Sequence, residues 1–211
     1  MQSYALTVDK FLDHAAKWWG DREIVTGGGG RIGYAALRSR SNRLSGALAK
    51  LGLRFGDRVA TLAWNTQHHL EIYYGAMGAG FVCHTLNPRL TVAHLAAMVN
   101  EAEDRVLAVG SGLSDLALEL VFHCPSIEAV VLLDGAQPEP RPVSNLRTFE
   151  FENLLVGLGE DTAWGGFDEE APAGLCYTSG TTGAPKAVLY THRSNYLHTL
   201  RALQADAIAL T

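Results

Sequence analysis

Tyr177-Thr178-Ser179-Gly180-Thr181-Thr182-Gly183-Ala184-Pro185-Lys186 is the stretch around which the rest of the chain can be read. Ahead of it, Ala173-Gly174-Leu175-Cys176-Tyr177 is short and mostly apolar, and reads as a buried strand of an α/β sheet. After it, Ala187-Val188-Leu189-Tyr190 is again apolar and extended. Between these runs, six consecutive residues are Thr, Ser or Gly and have no side chain with which to fill a core. They offer a pliable backbone, closely spaced N–H groups and several hydroxyls, which suit the wrapping of a polyanion such as a triphosphate. Lys186 adds a mobile positive charge, and Pro185 stiffens the exit. Composition of this kind often marks a linker. Here apolar runs pin both ends, so the stretch is a loop anchored in a core. A Walker-type loop needs four residues between its glycines and Ser or Thr after the Lys. Only Thr181 and Thr182 separate Gly180 from Gly183, and Ala187 follows Lys186, so a nucleotide loop of another architecture is expected.

Strands alternate with helices on the way to that loop. Apolar residues at Val8, Phe11, Leu12, Ala15 and Trp18 predict an amphipathic helix over residues 7–19. Residues 21–26 read as a strand, and Gly27-Gly28-Gly29-Gly30 as a tight reversal; as a second phosphate loop it lacks a following Lys or helix start. From Tyr34, Leu37, Leu44, Leu48 and Leu51 share a helix face that Gly52 ends. Arg38, Arg40, Arg43 and Lys50 lie mostly elsewhere, as a solvated face or as a contact for a phosphate group. Strands are predicted over 57–63, 81–86, 104–109 and 127–133. Helices are predicted from Thr66 to Gly78, from Thr91 to about Ala102, and over 114–123. Thr91 is the expected N-cap of its helix, with Leu90 and Leu95 as a hydrophobic staple. A loop over 135–145, a short helix over 148–158 and a helix over 193–207 complete the series. This rhythm predicts an α/β fold, a mainly parallel sheet flanked by helices on both faces. The polar stretch 161–173 is the expected boundary between a first α/β subdomain, 1–160, and a second segment, 161–211, that carries the loop. Asn87-Pro88-Arg89 falls at the carboxyl end of a strand, where open α/β sheets place ligands; Arg89 is a candidate for an anionic substrate or a plain turn residue.

Composition narrows the classes of function. Of 211 residues, 47% are hydrophobic and 18% charged, as in an ordinary globular protein with a proper core. A net charge of -5 without a Lys/Arg cluster argues against nucleic acid as a partner. No apolar run approaches the roughly 20 residues that span a bilayer. Residues 1–19 carry Asp9 and Asp13 where a signal peptide is basic and apolar, so a cytoplasmic protein is expected. Cys83, Cys124 and Cys176 are far apart and read as small buried hydrophobes. His68 and His69 are adjacent and point different ways on a helix, and without a His-x-x-x-His pair no zinc site is expected.

The run from Tyr177 to Lys186, continued by Ala187-Val188-Leu189-Tyr190-Thr191-His192-Arg193, resembles the AMP-binding signature of the acyl-adenylate-forming enzymes. These include acyl-CoA synthetases, adenylation domains and luciferases. Thr85-Leu86-Asn87-Pro88-Arg89-Leu90 and Tyr190-Thr191-His192-Arg193-Ser194-Asn195 look most like the medium- and long-chain fatty-acid–CoA ligases. One departure is Ala187, where the family usually has Gly after the Lys; altered loop fit is expected, with function kept.

The resemblance implies an ATP-dependent, AMP-forming acid–thiol ligase of fatty-acid metabolism, with ATP, Mg²⁺ and CoA as its nucleotide, metal and thiol. By that resemblance Thr178, Ser179, Gly180, Thr181, Thr182 and Gly183 would cradle the β- and γ-phosphates, with a Thr hydroxyl helping to hold Mg²⁺. Lys186 would hold the loop or the phosphates, or else form a salt bridge within the protein. A homodimer is compatible with this reading. Family members are more than twice as long. Their adenine, ribose and hinge segments and their catalytic Lys come later than any residue here, and this chain stops at Thr211, directly after the apolar Ala207-Ile208-Ala209-Leu210. The expectation is an N-terminal fragment, inactive alone. The alternatives are a short non-catalytic nucleotide-binding or assembly module, and a ligase for an aryl or amino acid.

Overall fold

A computed structural model describes residues 4–28, 30–135, 146–178, 185–204 and 207. Helix α1 (Asp9–Trp19) leads into a hairpin of β1 (Glu23–Val25) and β2 (Arg31–Gly33), paired antiparallel across the glycine reversal. There follow α2 (Tyr34–Lys50), β3 (Arg58–Leu62), α3 (Gln67–Gly78), β4 (Val82–Thr85), α4 (Val92–Ala102), β5 (Val106–Val109), α5 (Ser114–Phe122) and β6 (Ala129–Leu132). The series closes with β7 (Arg147–Glu150), α6 (Phe151–Leu158), β8 (Pro172–Thr178), β9 (Lys186–Thr191) and α7 (His192–Ala202). The main sheet has the order β7-β6-β5-β3-β4-β8-β9, parallel throughout except for the antiparallel β8–β9 pair.

The central strands are apolar in succession because both faces of the sheet are covered. Val106 and Ala108 of β5 join the cluster under α2, α3 and α6, with Leu44, Leu48, Ile72 and Phe151. Leu107 and Val109 point the other way, to Leu95, Val99 and Leu120 of α4 and α5. Leu107 is fully buried, and truncating such a side chain to Ala costs about 2–5 kcal/mol.

The helix ends follow from their residues. The Thr66 and Thr91 hydroxyls accept the His69 and His94 amides at 3.3 and 3.5 Å. Leu90 and Leu95 pack in one cluster around Thr91, as a staple does. Gly52 takes a φ of +103° beyond the end of α2. The repeated Asp-Arg-Val at 57–59 and 104–106 turns out to be reciprocal. Arg58 donates to the Ala102 and Glu103 carbonyls at the end of α4, while Arg105 donates to the Gly52 carbonyl, 2.8 Å away, just past the end of α2. Each arginine therefore serves the helix that precedes the other, where a cation suits the negative end of the helix dipole.

Three expectations need correction. Residues 148–158 are not one helix: 147–150 form β7, whose Arg147 lies opposite Ala129 of β6, and α6 begins at Phe151. The edge strand is mostly exposed, so its polar Arg-Thr-Phe-Glu carries no apolar run. The last helix runs from His192 to Ala202 and does not extend over 193–207. The basic residues of α2 are engaged by protein groups: Arg38 with Asp13, Arg40 with Glu71 and Glu152, Arg43 with the Leu155 carbonyl, Lys50 with Glu160. The expected loop over 135–145 lies outside the described residues after Gly135.

Candidate active site

β4 follows β3 on one side, and β5 then crosses to the other side, so the winding of the sheet reverses at β3. Ligands of open α/β sheets gather at the carboxyl edge near such a reversal. β8 runs parallel to β4, with Cys83 opposite Gly174 and His84 opposite Leu175. Its carboxyl end therefore emerges on the same edge as Asn87-Pro88-Arg89.

Of the residues expected to cradle phosphate, Thr178 and Lys186 are placed: they are opposite one another at the end of the β8–β9 ladder, and both are exposed. Ser179, Gly180, Thr181, Thr182 and Gly183 lie outside the described residues. The loop thus closes a hairpin, whereas a Walker loop joins a strand to a helix. Among the described residues Lys186 forms no ion pair. β9 is exposed along most of its length, as an edge strand is.

Arg89 sits in a turn closed by its own amide, which donates to Asn87 Oδ1 at 3.0 Å. Its guanidinium lies 6.0 Å from the centre of the Trp64 ring and has no carboxylate partner among the described residues. Trp64 comes just after β3, beyond Ala63, and its carbonyl is hydrogen-bonded by His69 Nδ1 at 3.0 Å. His69 Nε2 reaches Thr61 Oγ1, also at 3.0 Å, so the buried imidazole ties the end of β3 to α3. His68 turns away, to Asp134 at 2.6 Å and Glu152 at 3.2 Å. Trp64 was not singled out from sequence; its position one residue beyond the apolar strand, on the ligand edge, is the signal that was available.

Below the loop, Tyr177 packs its ring 5.3 Å from that of His84. His84 Nδ1 lies 2.7 Å from Asp104 Oδ2, and both side chains are fully buried. Burial raises the Asp104 carboxyl, while the hydrogen bond with His84 opposes that shift. The Tyr177 hydroxyl is pushed up to about 12, chiefly by burial and then by Glu101. At His84 this aromatic and hydrogen-bonded layer is closed to solvent.

Cys83 and Cys124 are buried and Cys176 is half-buried. Burial pushes the Cys83 thiol well up and that of Cys124 to about 11, so neither is a ready nucleophile. Among the described residues no cluster of His, Cys, Asp and Glu is arranged to hold a metal ion, and no helix is long and apolar enough to cross a membrane.

With this geometry in hand, the comparison with known proteins is direct: the family model "AMP-binding enzyme" matches residues 12–210. The chain belongs to the AMP-binding enzyme family. It is 41% identical to a 3-methylmercaptopropionyl-CoA ligase of Ruegeria lacuscaerulensis, over 99% of this chain and 39% of that protein. It is 37% identical to a medium-chain-fatty-acid–CoA ligase of Ectopseudomonas oleovorans, over 100% of this chain and 39% of the relative. A solved anthranilate CoA ligase in complex with anthranoyl-AMP superposes with a TM-score of 0.84 at 18% identity, covering 97% of this chain and 38% of that one, a likeness of fold. The chain thus spans about 39% of the length of these curated relatives.

Proposed function

We propose that this chain supplies the phosphate-binding part of an AMP-forming ligase that joins a carboxylic acid to CoA. The observation that carries the reading is the facing of Thr178 and Lys186 at the mouth of a hydroxyl- and glycine-rich hairpin on the sheet's ligand edge, with Lys186 free of any ion pair among the described residues. An internal salt bridge, the other role open to Lys186, has no partner there. A cation without an ion-pair partner among the described residues, at the end of a Thr/Ser/Gly run in the sequence, suits a polyphosphate.

In the first half-reaction the substrate carboxylate attacks the α-phosphorus of ATP, and pyrophosphate leaves. Two anions must approach, so catalysis is mostly neutralisation of charge. The amides and hydroxyls of Thr178, Ser179, Gly180, Thr181, Thr182 and Gly183 hold the β- and γ-phosphates of the leaving group. Lys186 places its ammonium where negative charge accumulates. A Thr hydroxyl of the loop, among Thr178, Thr181 and Thr182, would help to hold Mg²⁺, which would supply further charge neutralisation on the phosphates. In the second half-reaction the CoA thiol attacks the acyl carbonyl and AMP leaves. Arg89, presented on Trp64, binds a phosphate of an incoming anionic substrate; its amide closes the turn, and its guanidinium has no carboxylate partner among the described residues.

The acid is aliphatic in this reading. Relatives named as ligases for medium- and long-chain fatty acids favour a fatty acid, and the 41% identical ligase named for 3-methylmercaptopropionate favours a short thioether acid as the second choice. The test is pyrophosphate release by the full-length protein with ATP·Mg²⁺ and a panel of octanoate, hexadecanoate, 3-methylmercaptopropionate and benzoate. Release with none of them, together with no calorimetric binding of ATP, rejects the proposal.

A further inference from the structure

Two segments far apart in sequence meet around His192, the first residue of α7. The side chain is fully buried, and its Nδ1 accepts the Val8 amide at 3.2 Å. An unprotonated Nδ1 in a neutral imidazole puts the proton on Nε2. That Nε2, the hydroxyl of Thr7 and Oδ1 of Asp9 are all buried without a partner among the described residues. Thr7 and Asp9 flank Val8, and both are 0% exposed. Asp9 Oδ2 lies 3.1 Å from Lys10 Nζ, and the paired group keeps Oδ1 as an acceptor. The three atoms are chemically complementary: a ring N–H that donates, a carboxylate oxygen that accepts, and a hydroxyl that does both.

Further ties lie around them. The Leu6 amide donates to Glu169 Oε2 at 2.7 Å, Glu169 pairs with Arg193, and the His192 amide donates to the Ala171 carbonyl at 3.0 Å. Phe11 stacks on Tyr196 with ring centres 4.5 Å apart, and Phe167 lies 4.8 Å from the His192 ring. β9 is an edge strand, mostly exposed, so among the described residues it is located by its ladder to β8 and by what holds its far end. That end is Thr191, next to His192.

We propose that His192 is a positioning residue for the phosphate-binding hairpin. Its Nε2–H, the Thr7 hydroxyl and Asp9 Oδ1 form one buried polar joint, closed through a single enclosed water, that fixes β9 and so the placement of Lys186. Buried polar atoms of this kind are matched by protein groups or by an ordered water. The inference rests on the nucleotide reading of the loop given above.

The test compares His192→Asn, His192→Gln and His192→Leu in the full-length protein. Asn places an amide oxygen near the site of Nδ1 and keeps the bond from Val8; Gln reaches the site of Nε2 and loses that bond; Leu keeps neither. His192→Leu is expected to raise KM for ATP·Mg²⁺ about tenfold, the scale of one lost hydrogen bond to a buried group, and to leave thioester formation from preformed acyl-adenylate unchanged. His192→Gln, which returns an N–H donor to the site of Nε2, is expected to restore KM for ATP to within about threefold. His192→Asn, which keeps only the bond from Val8, is expected to stay close to His192→Leu; rescue by Asn and not by Gln would overturn the joint at Nε2. Hydrogen exchange should quicken over residues 186–191 in His192→Leu and stay as in the wild type over 106–109. A lowered melting temperature with unchanged KM for ATP, or equal loss in both half-reactions, overturns the positioning role. If the wild type releases no pyrophosphate with any acid, the ligase reading fails; exchange then judges the joint, and unchanged exchange over 186–191 overturns it.

Discussion

Lys186 stands opposite Thr178 at the mouth of the β8–β9 hairpin, so the two ends of the signature loop are held side by side by the ladder itself. Replacing Lys186 by Ala leaves that ladder intact and removes only the charge. We expect the adenylation half-reaction of the full-length protein to slow by about 10²–10³-fold, the scale for losing one preorganised electrostatic partner of a transition state. Transfer from preformed acyl-adenylate to CoA should change far less. Pyrophosphate release and thioester formation, followed separately, check this; equal losses reject the role.

Arg89 rests against Trp64 without a carboxylate partner among the described residues. Arg89→Ala is expected to raise KM for one phosphate-bearing substrate, ATP or CoA, by about tenfold, as for a lost charge-assisted hydrogen bond. The effect should shrink at high salt, since the site is exposed. Arg89→Lys should not restore KM, because an ammonium lacks the planar face that packs on an indole. Steady-state kinetics at two ionic strengths decide the matter.

His84 and Asp104 are paired at 2.7 Å with no exposure of either side chain. Removing one partner strands the other in the core, and Asp104→Leu alone should cost about 3–5 kcal/mol. The double replacement His84→Leu with Asp104→Leu should cost less than the sum of the singles. Urea denaturation of the four proteins forms the cycle, and additive losses would show that the pair is not coupled.

The His192 imidazole is held at a pKa of about 4, below its ordinary 6.5, mainly because burial disfavours the charged ring. The unfolded chain therefore takes up a proton on His192 before the folded one does. Its contribution is present above pH 6.5 and is lost as pH falls from there towards about 4, by on the order of 3 kcal/mol. Melting temperatures measured across this window should fall more steeply in the wild type than in His192→Asn.

Gly46 lies in α2 where the chain passes close by: a Cβ there would sit 2.3 Å from the Glu160 carbonyl oxygen. The obstacle is backbone and not a pliable side chain. Gly46→Ala should destabilise by about 1–3 kcal/mol in spite of the better helix propensity of Ala, as overpacking does. A denaturation midpoint equal to that of the wild type would show that the segment at Glu160 yields freely.

The central strands were legible because burial on both faces demands unbroken apolar runs, as in Val106-Leu107-Ala108-Val109. β7 was not: at the edge of the sheet, Arg147 and Thr148 meet solvent and carry no hydrophobic period. At the site, the loop between Tyr177 and Lys186 announced itself by composition, and Arg89 by its place after a strand. Trp64 under Arg89 and Val8 against His192 did not, since such pairs join residues that local pattern cannot relate. The arginines of α2 looked like a solvated face because their partners, among them the buried Glu71 and the distant Glu152, are supplied by other helices.

The pairing of Cys83 with Gly174 sets a timetable for biosynthesis. β3 to β7 are all made while β4 still has one bare edge, and closing that edge waits for a strand encoded far downstream. A nascent chain halted before β8 would carry unpaired N–H and C=O groups along β4, a template for association with other chains. The hairpin proposed to hold the nucleotide is thus also the piece that covers β4, and a polypeptide that reaches it is spared that fate.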